Sequence, residues 1–144
     1  MAKKAHTLKN NLVVGIDDRQ IKHLSKTHEG KKHDKKIGDE EGITVPLGSD
    51  LYRDSGFQGH AMPGVNIHQP KKKPCGGELN LVDKVQNRLI SSVRVVVEHV
   101  IAGVQRCRIV KDIFRNTKEA YEDRVMELAC GLHNFRTEHR LLCY

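Results

Sequence analysis

The sequence has no tryptophan, and aromatic residues of any kind make up only 4% of its 144 positions. Cysteine is also sparse, and its four positions form no C-x-x-C pair, which favours reduced thiols over a secreted disulfide scaffold. No apolar stretch approaches the roughly 18 residues of a membrane-spanning helix, and the N-terminus lacks the apolar core of a signal peptide. These absences predict a soluble, cytoplasmic protein with no membrane-spanning segment.

Basic residues are what the sequence has in excess. The net charge is +7 and the isoelectric point is near 9.3, and the lysines and arginines occur in clusters along the chain. Such clusters favour an anionic partner, with nucleic acid as the first candidate. A solvated face that keeps the protein soluble accounts equally well for Lys3, Lys4, Lys31 and Lys32.

The length predicts one domain over residues 1–144, with a modest core because only 38% of the residues are hydrophobic. Alternating apolar residues predict a hairpin that turns at Asp17 and Asp18. A short helix closed by Gly42, two brief strands and a basic Pro/Gly linker are expected to follow. The strand-rich part is assigned to residues 5–70, the linker to 71–80 and a C-terminal helical pair to 81–138. This order indicates an α/β or α+β class.

The apolar segment from residue 81 to 104 carries one acid, Glu98, among its valines. Its length favours a helix over a strand. The helix would bury one face, formed by Val93, Val97, Val100 and Val104. Glu98 falls on a polar stripe beside that face, where an ion pair with Arg94, four residues earlier, is sufficient to explain it.

Asp54 is the second acid that stands out. It is expected at the C-terminal end of a strand, just before the small residues Ser55 and Gly56, where a carboxylate can face a ligand at the sheet edge. An ordinary turn aspartate explains the same stretch.

A zinc-like pattern occurs near the C-terminus. It consists of residue types that bind zinc, at Cys130, His133, His139 and Cys143. The surrounding segment also has the spacing of an amphipathic helix, and short patterns of this kind often have no metal.

Four blocks of sequence, taken in order, point to a known family. They are YRDSGFQG, HQPKKKP, NRLISSVRVVVEHVIAGVQRCRIVKDIFRN and ACGLHNFR. Together they closely resemble the catalytic domain of bacterial insertion-sequence transposases, in the DDE superfamily endonuclease group that includes the Harbinger-like nucleases. The resemblance covers most of the chain, and its VRVVVEHVIAGVQRCRI block is far more specific than a lone acid or glycine motif.

The resemblance implies an α/β fold with a ribonuclease-H-like mixed sheet and flanking helices, in which three acids hold two Mg²⁺ ions, with Mn²⁺ as a substitute. By motif, Asp54 falls on the second catalytic and metal-binding acid and Glu98 on the third. Mg²⁺ prefers carboxylate oxygens and water. Two such ions can activate a water or a DNA 3′-hydroxyl and stabilise the leaving oxygen at phosphorus.

The resemblance also suggests roles for basic residues. Arg94 is expected to lie behind Glu98 and orient it, although a surface ion pair explains it equally well. DNA is the expected partner, and the basic residues next to the acids in the motif order are expected to contact its phosphates: Lys71, Lys72, Lys73, Arg106, Arg108 and Arg115.

The first acid of the family has no counterpart here, because it lies upstream of the stretch that matches KAHTLKNNLVV. Its strand is central in a ribonuclease-H-like sheet, so its loss would leave backbone groups unpaired and strand edges open to association. We therefore expect a truncated domain that lacks the first central strand. It would be either an inactive remnant or one product of a split gene whose upstream-encoded chain supplies the strand and the acid, and a homo-oligomer is a further expectation.

Two function classes remain open. One is the C-terminal part of a transposase that cleaves and transfers DNA strands, found with the nucleoid when bound to DNA and inactive alone. The alternative is a non-catalytic nucleic-acid-binding or regulatory remnant that acts through its basic patches.

Overall fold

The computed structural model describes most of the chain, namely residues 8–57, 59, 62–112, 114–116 and 118–141, without the side chain of Leu141. The chain divides into two compact units, one made of residues 1–32 and 96–144 and the other of residues 33–95. No helix in the described ranges is long and apolar enough to cross a membrane.

The first unit opens with the expected hairpin. Two antiparallel strand pairs form it. Farther from the turn, β1 (Leu8–Lys9) pairs with β4 (His28–Glu29). Next to the turn, β2 (Leu12–Val14) pairs with β3 (Ile21–Leu24). At the turn, Asp18 Oδ1 accepts a hydrogen bond from the Gln20 backbone N–H at 3.0 Å. The hairpin and its Asx turn confirm the prediction from alternation and turn chemistry.

The second unit begins with α1 (Asp34–Glu41), whose apolar Ile37 is fully buried. The helix ends at Gly42, which adopts the left-handed conformation with φ 57° that glycine accommodates without a side-chain clash. Two strands follow, β5 (Asp50–Tyr52) and β6 (Asn66–His68), which pair in parallel. Between them, Ser55–Phe57 form a single 3₁₀ turn.

Helices dominate the C-terminal part, as predicted. The first is α2 (Leu81–Val104), followed by a short α3 (Arg108–Lys111) that the sequence did not predict. The last is α4 (Tyr121–Leu141), which extends past residue 138, where the predicted helical pair ends. Ala120 has φ 54°, which is incompatible with a right-handed helix, so α4 begins only after it.

The apolar core of the first unit lies among the hairpin, α2 and α4. Its most buried members are Ile21, Val100, Val104, Ala129 and Cys130. The predicted valine face of α2 is therefore confirmed at its C-terminal half, where Val100 and Val104 are each 1% exposed. Val93 and Val97, earlier on the same face, are only half-buried.

Side chains of α4 bind the backbone of the hairpin. Asn134 accepts from the Ile21 N–H at 2.8 Å and donates to the Ile21 carbonyl at 2.9 Å. Nearer the start of the helix, Asp123 accepts from the Thr27 N–H at 2.7 Å. These bonds give partners to backbone groups of the buried Ile21 and of Thr27, which follows β3.

A glycine allows α2 and α4 to approach closely. Gly103 lies under the ring of His133, and a Cβ built at position 103 would be 2.7 Å from His133 Cε1. The Arg136 guanidinium donates to the Gly103 carbonyl at 2.9 Å across the same contact. The close packing of α2 against α4 therefore requires glycine, which has no Cβ, at position 103.

The mixed α/β class is confirmed. The described strands pair only two by two, as β1–β4, β2–β3 and β5–β6. The ribonuclease-H-like sheet and the missing central strand therefore stay predictions.

Gly103→Ala is expected to lower the free energy of unfolding by about 1–3 kcal/mol, because the new methyl group overlaps the His133 ring in a packed contact. Gly131→Ala is the matched control, since nothing lies within 4 Å of its Cβ position and it is in a helix interior. That change should raise the free energy of unfolding by about 0.5–1 kcal/mol. Urea denaturation measures both, and equal effects of the two changes would contradict the proposed close contact.

Asn134→Ala removes the partners of both backbone groups of Ile21, whose residue is 8% exposed. Leaving such groups unsatisfied should destabilise the chain by about 1–3 kcal/mol. Gln105→Ala, which truncates an exposed amide just after α2, should change stability by less than about 0.5 kcal/mol. Hydrogen exchange at the Ile21 amide gives a second readout, and unchanged protection in Asn134→Ala would count against the bond.

Candidate active site

Asp54 lies two residues after β5 and starts the 3₁₀ turn. Its Oδ1 accepts from the Ser55 N–H at 2.7 Å, and its side chain is 53% exposed. The next residue, Gly56, lies against the start of α1, where an added Cβ would be 2.8 Å from Asp34 Oδ2. The Asp-Ser-Gly sequence therefore has a local structural reason: the serine amide orients the carboxylate, and the glycine permits the turn to approach α1.

Arg94 lies on α2, and its guanidinium reaches Asp54. The distance from Arg94 Nη2 to Asp54 Oδ2 is 3.6 Å, and the two side chains are 61% and 53% exposed. The structure thus brings Arg94 to the first of the two predicted acids. Its expected role behind Glu98 stays a prediction. An exposed pair at this distance stabilises a fold very little, so its main effect is on the local charge around Asp54.

Glu98 is exposed on the next turn of α2, four residues after Arg94. It follows the half-buried Val97 and is itself exposed, so it lies outside the buried face of α2 that contains Val100 and Val104. Asp54 belongs to the unit of residues 33–95 and Glu98 to the other unit. The roles of both acids as metal ligands stay predictions.

Metal-binding residue types do not cluster within the described ranges, where no group of three or more histidines, cysteines or acids could hold an ion. In the zinc-like pattern, Cys130 is buried in the core, and His133 bonds to the Arg19 carbonyl. His139 Nδ1 lies 2.8 Å from the Phe135 carbonyl, one helical turn earlier, while Cys143 is outside the described residues. The described members thus serve packing and backbone bonding.

The predicted DNA-contacting residues differ in how much they are already engaged. Lys71 is held by Asn87, which bonds to both its N–H and its carbonyl at 3.0 Å, and its ammonium lies 2.6 Å from Asp83. The others are exposed: Lys72, Lys73, Arg106, Arg108 and Arg115. Lys71 therefore anchors the linker to α2, and the remaining residues keep their charges at the surface.

The ACGLHNFR block on α4 has structural roles that the sequence did not reveal. The block was recognisable as a family motif and as an amphipathic helix, but His133 and Asn134 were not recognisable as the residues that bind the hairpin turn and strand. Arg136 and Arg140, also on α4, lie four residues apart, a spacing that places both on one face of the helix. That spacing was the available signal.

The mixed α/β fold is consistent with a nuclease family. Comparison with known proteins agrees: the model of the family described as DDE superfamily endonuclease matches residues 1–134, and the chain belongs to that family. Members generally use divalent metal ions. The resemblance inferred from the four sequence blocks is thereby confirmed.

Among curated proteins, the chain is similar to a probable transposase for insertion sequence element IS702 from Microchaete diplosiphon. The two are 30% identical over 130 residues, which is 90% of this chain and 46% of the relative. The chain thus spans about half the length of that relative. No solved structure matches the chain significantly.

The core thiol gives a testable pH dependence. Burial raises the pKa of Cys130 to about 11 from its ordinary 9.0, and the neighbouring Cys107 adds to the rise. Because the folded pKa lies above the unfolded one, this stabilisation is complete below pH 9 and is lost as the pH rises through 11.

The free energy of unfolding should therefore fall by about 2 kcal/mol more between pH 8 and pH 10.5 in the native chain than in Cys130→Ala, which has no thiol to titrate. Cys75→Ala, at an exposed cysteine, should follow the native curve. Parallel curves for the native chain and Cys130→Ala would show that the thiol is not shielded.

Proposed function

We propose that this chain is the C-terminal part of a DDE transposase that cleaves and joins DNA strands, with Asp54 and Glu98 as two of its metal-binding carboxylates. Family membership supports the enzyme class, and the similar protein is a probable insertion-sequence transposase. Because the chain covers 46% of that relative, the activity proposed is that of the whole protein. Bound to DNA, the protein would be found with the nucleoid.

The observation that carries this proposal is the setting of Asp54. One carboxylate oxygen accepts the Ser55 amide, and the other faces the Arg94 guanidinium at 3.6 Å on an exposed surface. The serine bond orients the carboxylate, while the long, solvated contact with Arg94 costs little to exchange for a cation. A carboxylate held in this way is suited to bind a metal without a large rearrangement.

The donor chemistry of the two acids suits Mg²⁺ or Mn²⁺, which favour carboxylate oxygens and retained waters. When bound, a pair of such ions supplies Lewis-acid stabilisation at the reacting phosphate. The described residues provide no group of three ligands. Asp54 and Glu98 are thus proposed as part of a ligand set, with Arg94 balancing the charge of Asp54 before the metal enters.

Two acids alone do not complete the ligand set, so a further carboxylate is needed to hold the metal ions. We propose that it comes from a segment or chain that adds a strand. Within the described residues, β5 pairs only with β6 and β2 only with β3, so each keeps a side on which another strand can hydrogen-bond. An upstream-encoded chain that supplies a strand and an acid would use such a side, and a second copy of this chain is the other source.

The test is cleavage of supercoiled DNA with Mg²⁺ or Mn²⁺, by the chain alone and co-expressed with the upstream reading frame. Asp54→Ala and Glu98→Ala should each reduce nicking by at least about 100-fold, as expected when a group that stabilises the transition state is removed. Asp39→Ala on α1 and Glu127→Ala on α4 are matched controls that remove an exposed acid elsewhere, and they should leave nicking unchanged.

Both test variants should remain folded, because Asp54 and Glu98 are exposed and surface changes rarely exceed about 0.5 kcal/mol. Nicking only in the presence of the upstream chain would support the two-chain arrangement. Nicking that survives Asp54→Ala or Glu98→Ala would overturn the assignment of that acid.

A second candidate is a non-catalytic nucleic-acid-binding or regulatory module. It is favoured by the exposed basic residues, together with the incomplete ligand set of the described residues. In that case the contacts to DNA would come from Lys72, Lys73, Arg106, Arg108 and Arg115, and binding would weaken steeply with salt. Asp54→Ala separates the two functions, since it would leave binding intact and abolish only cleavage.

A further inference from the structure

The first unit contains a cleft of about 640 Å³ to which no role has been assigned. Its charged walls come from three elements: the hairpin turn, the end of α2 and the C-terminal half of α4. Each contributes arginine, namely Arg19 from the turn, Arg106 just after α2, and Arg136 and Arg140 from α4.

The arginines outweigh the acids in this cleft. Among the residues that the structure describes, two acids line it, Asp17 and Asp18, against the four arginines. Asp18 is engaged by Lys22, whose hydrogen bond holds the pKa of that carboxyl below its usual range although burial opposes it. The negative charge of Asp18 is therefore already balanced, and the cleft as a whole remains positive.

The histidines His99 and His133 also line the cleft, and His133 bonds to two parts of its wall. His133 Nε2 lies 3.1 Å from the Arg19 carbonyl, which can only accept. His133 Nδ1 lies 3.3 Å from Arg136 Nη2, which can only donate. The ring thus contacts both the hairpin turn and Arg136.

The arginines differ in what holds them. Arg136 is fixed by His133 and by the Gly103 carbonyl at 2.9 Å. Arg106 and Arg140 are exposed, and neither forms an ion pair with any residue that the structure describes. The cleft therefore combines one pre-oriented guanidinium with two that keep their donors for a ligand, a combination suited to phosphate oxygens.

We propose that this cleft binds successive phosphates of a DNA strand, through Arg106 and Arg140 with Arg136 between the helices. Charges spread over three elements match a repeated anion better than a single small one, and the cleft belongs to the same unit as Glu98. The inference rests on the proposed function for the identity of the polymer, but it concerns binding and not cleavage.

The experiment measures binding of the 144-residue chain to a fluorescently labelled 30-base-pair duplex at several salt concentrations. Each phosphate contact contributes about 0.9 to the slope of log affinity against log salt. Arg106→Gln combined with Arg140→Gln should make the slope shallower by about 1.8 and weaken binding. The matched control is Arg88→Gln with Arg124→Gln, two exposed arginines of α2 and α4 outside the cleft, which should retain the native slope.

Arg106→Lys combined with Arg140→Lys should retain the native slope, which separates lost charge from lost folding. Equal losses in the cleft and control variants would mean a general charge effect and would overturn the proposal, as would no duplex binding by the native chain. Titration with pyrophosphate tests a small anion instead. If the Arg106→Gln, Arg140→Gln variant loses pyrophosphate binding but keeps the native affinity for the duplex, the cleft binds free phosphates and the proposal is overturned. Because Asp54→Ala leaves this assay unaffected, failure of the catalytic assignment and failure of the cleft are distinguishable.

Discussion

The most consequential interaction in the structure is a side-chain amide that takes the place of a neighbouring strand. Asn134 on α4 bonds to both backbone groups of Ile21, at 2.8 and 2.9 Å. A carboxamide has the same donor and acceptor as a peptide unit, so it can continue a hydrogen-bonding pattern where no strand lies. The second unit repeats the device, with Asn87 on α2 bonding to both backbone groups of Lys71. Extended segments are thus fixed to helices in both units.

The contact between α2 and α4 follows from this anchoring. Once Asn134 fixes α4 on β3, His133 on the preceding position faces the hairpin turn and Gly103 of α2. The contact at Gly103 then determines which side of α2 packs against α4. The opposite side of α2 therefore remains exposed. Glu98, five residues before Gly103, is left at the surface, while Val100 and Val104 are buried. The same contact fixes Arg136 in the wall of the cleft.

Local patterns were sufficient to predict much of this arrangement. Alternation and an Asx turn gave the hairpin, Gly42 ended the short helix, and helical spacing identified Val100 and Val104 as buried. The family motifs identified Asp54 and Glu98 as candidates. What could not be predicted depends on distant parts of the chain: Arg94 bonding to Asp54, His133 to Arg19, and Asn134 to Ile21. None of these pairs has a sequence spacing that secondary structure fixes, and the left-handed Ala120 that delays α4 has no marker residue either.

The bond between Asn134 and Ile21 joins residues that are 113 positions apart. The first unit is therefore built from both parts of the chain, with residues 33–95 inserted between them. On a ribosome, the hairpin emerges long before α4, and its apolar residues must wait for the helix that covers them, whereas α1 and the β5–β6 pair can form as soon as they emerge. Long-range closure of this kind slows folding and prolongs the exposure of strand edges. Synthesis of α4 is thus the event that completes the first unit, and a ribosome that stalls before it would release a hairpin prone to aggregation.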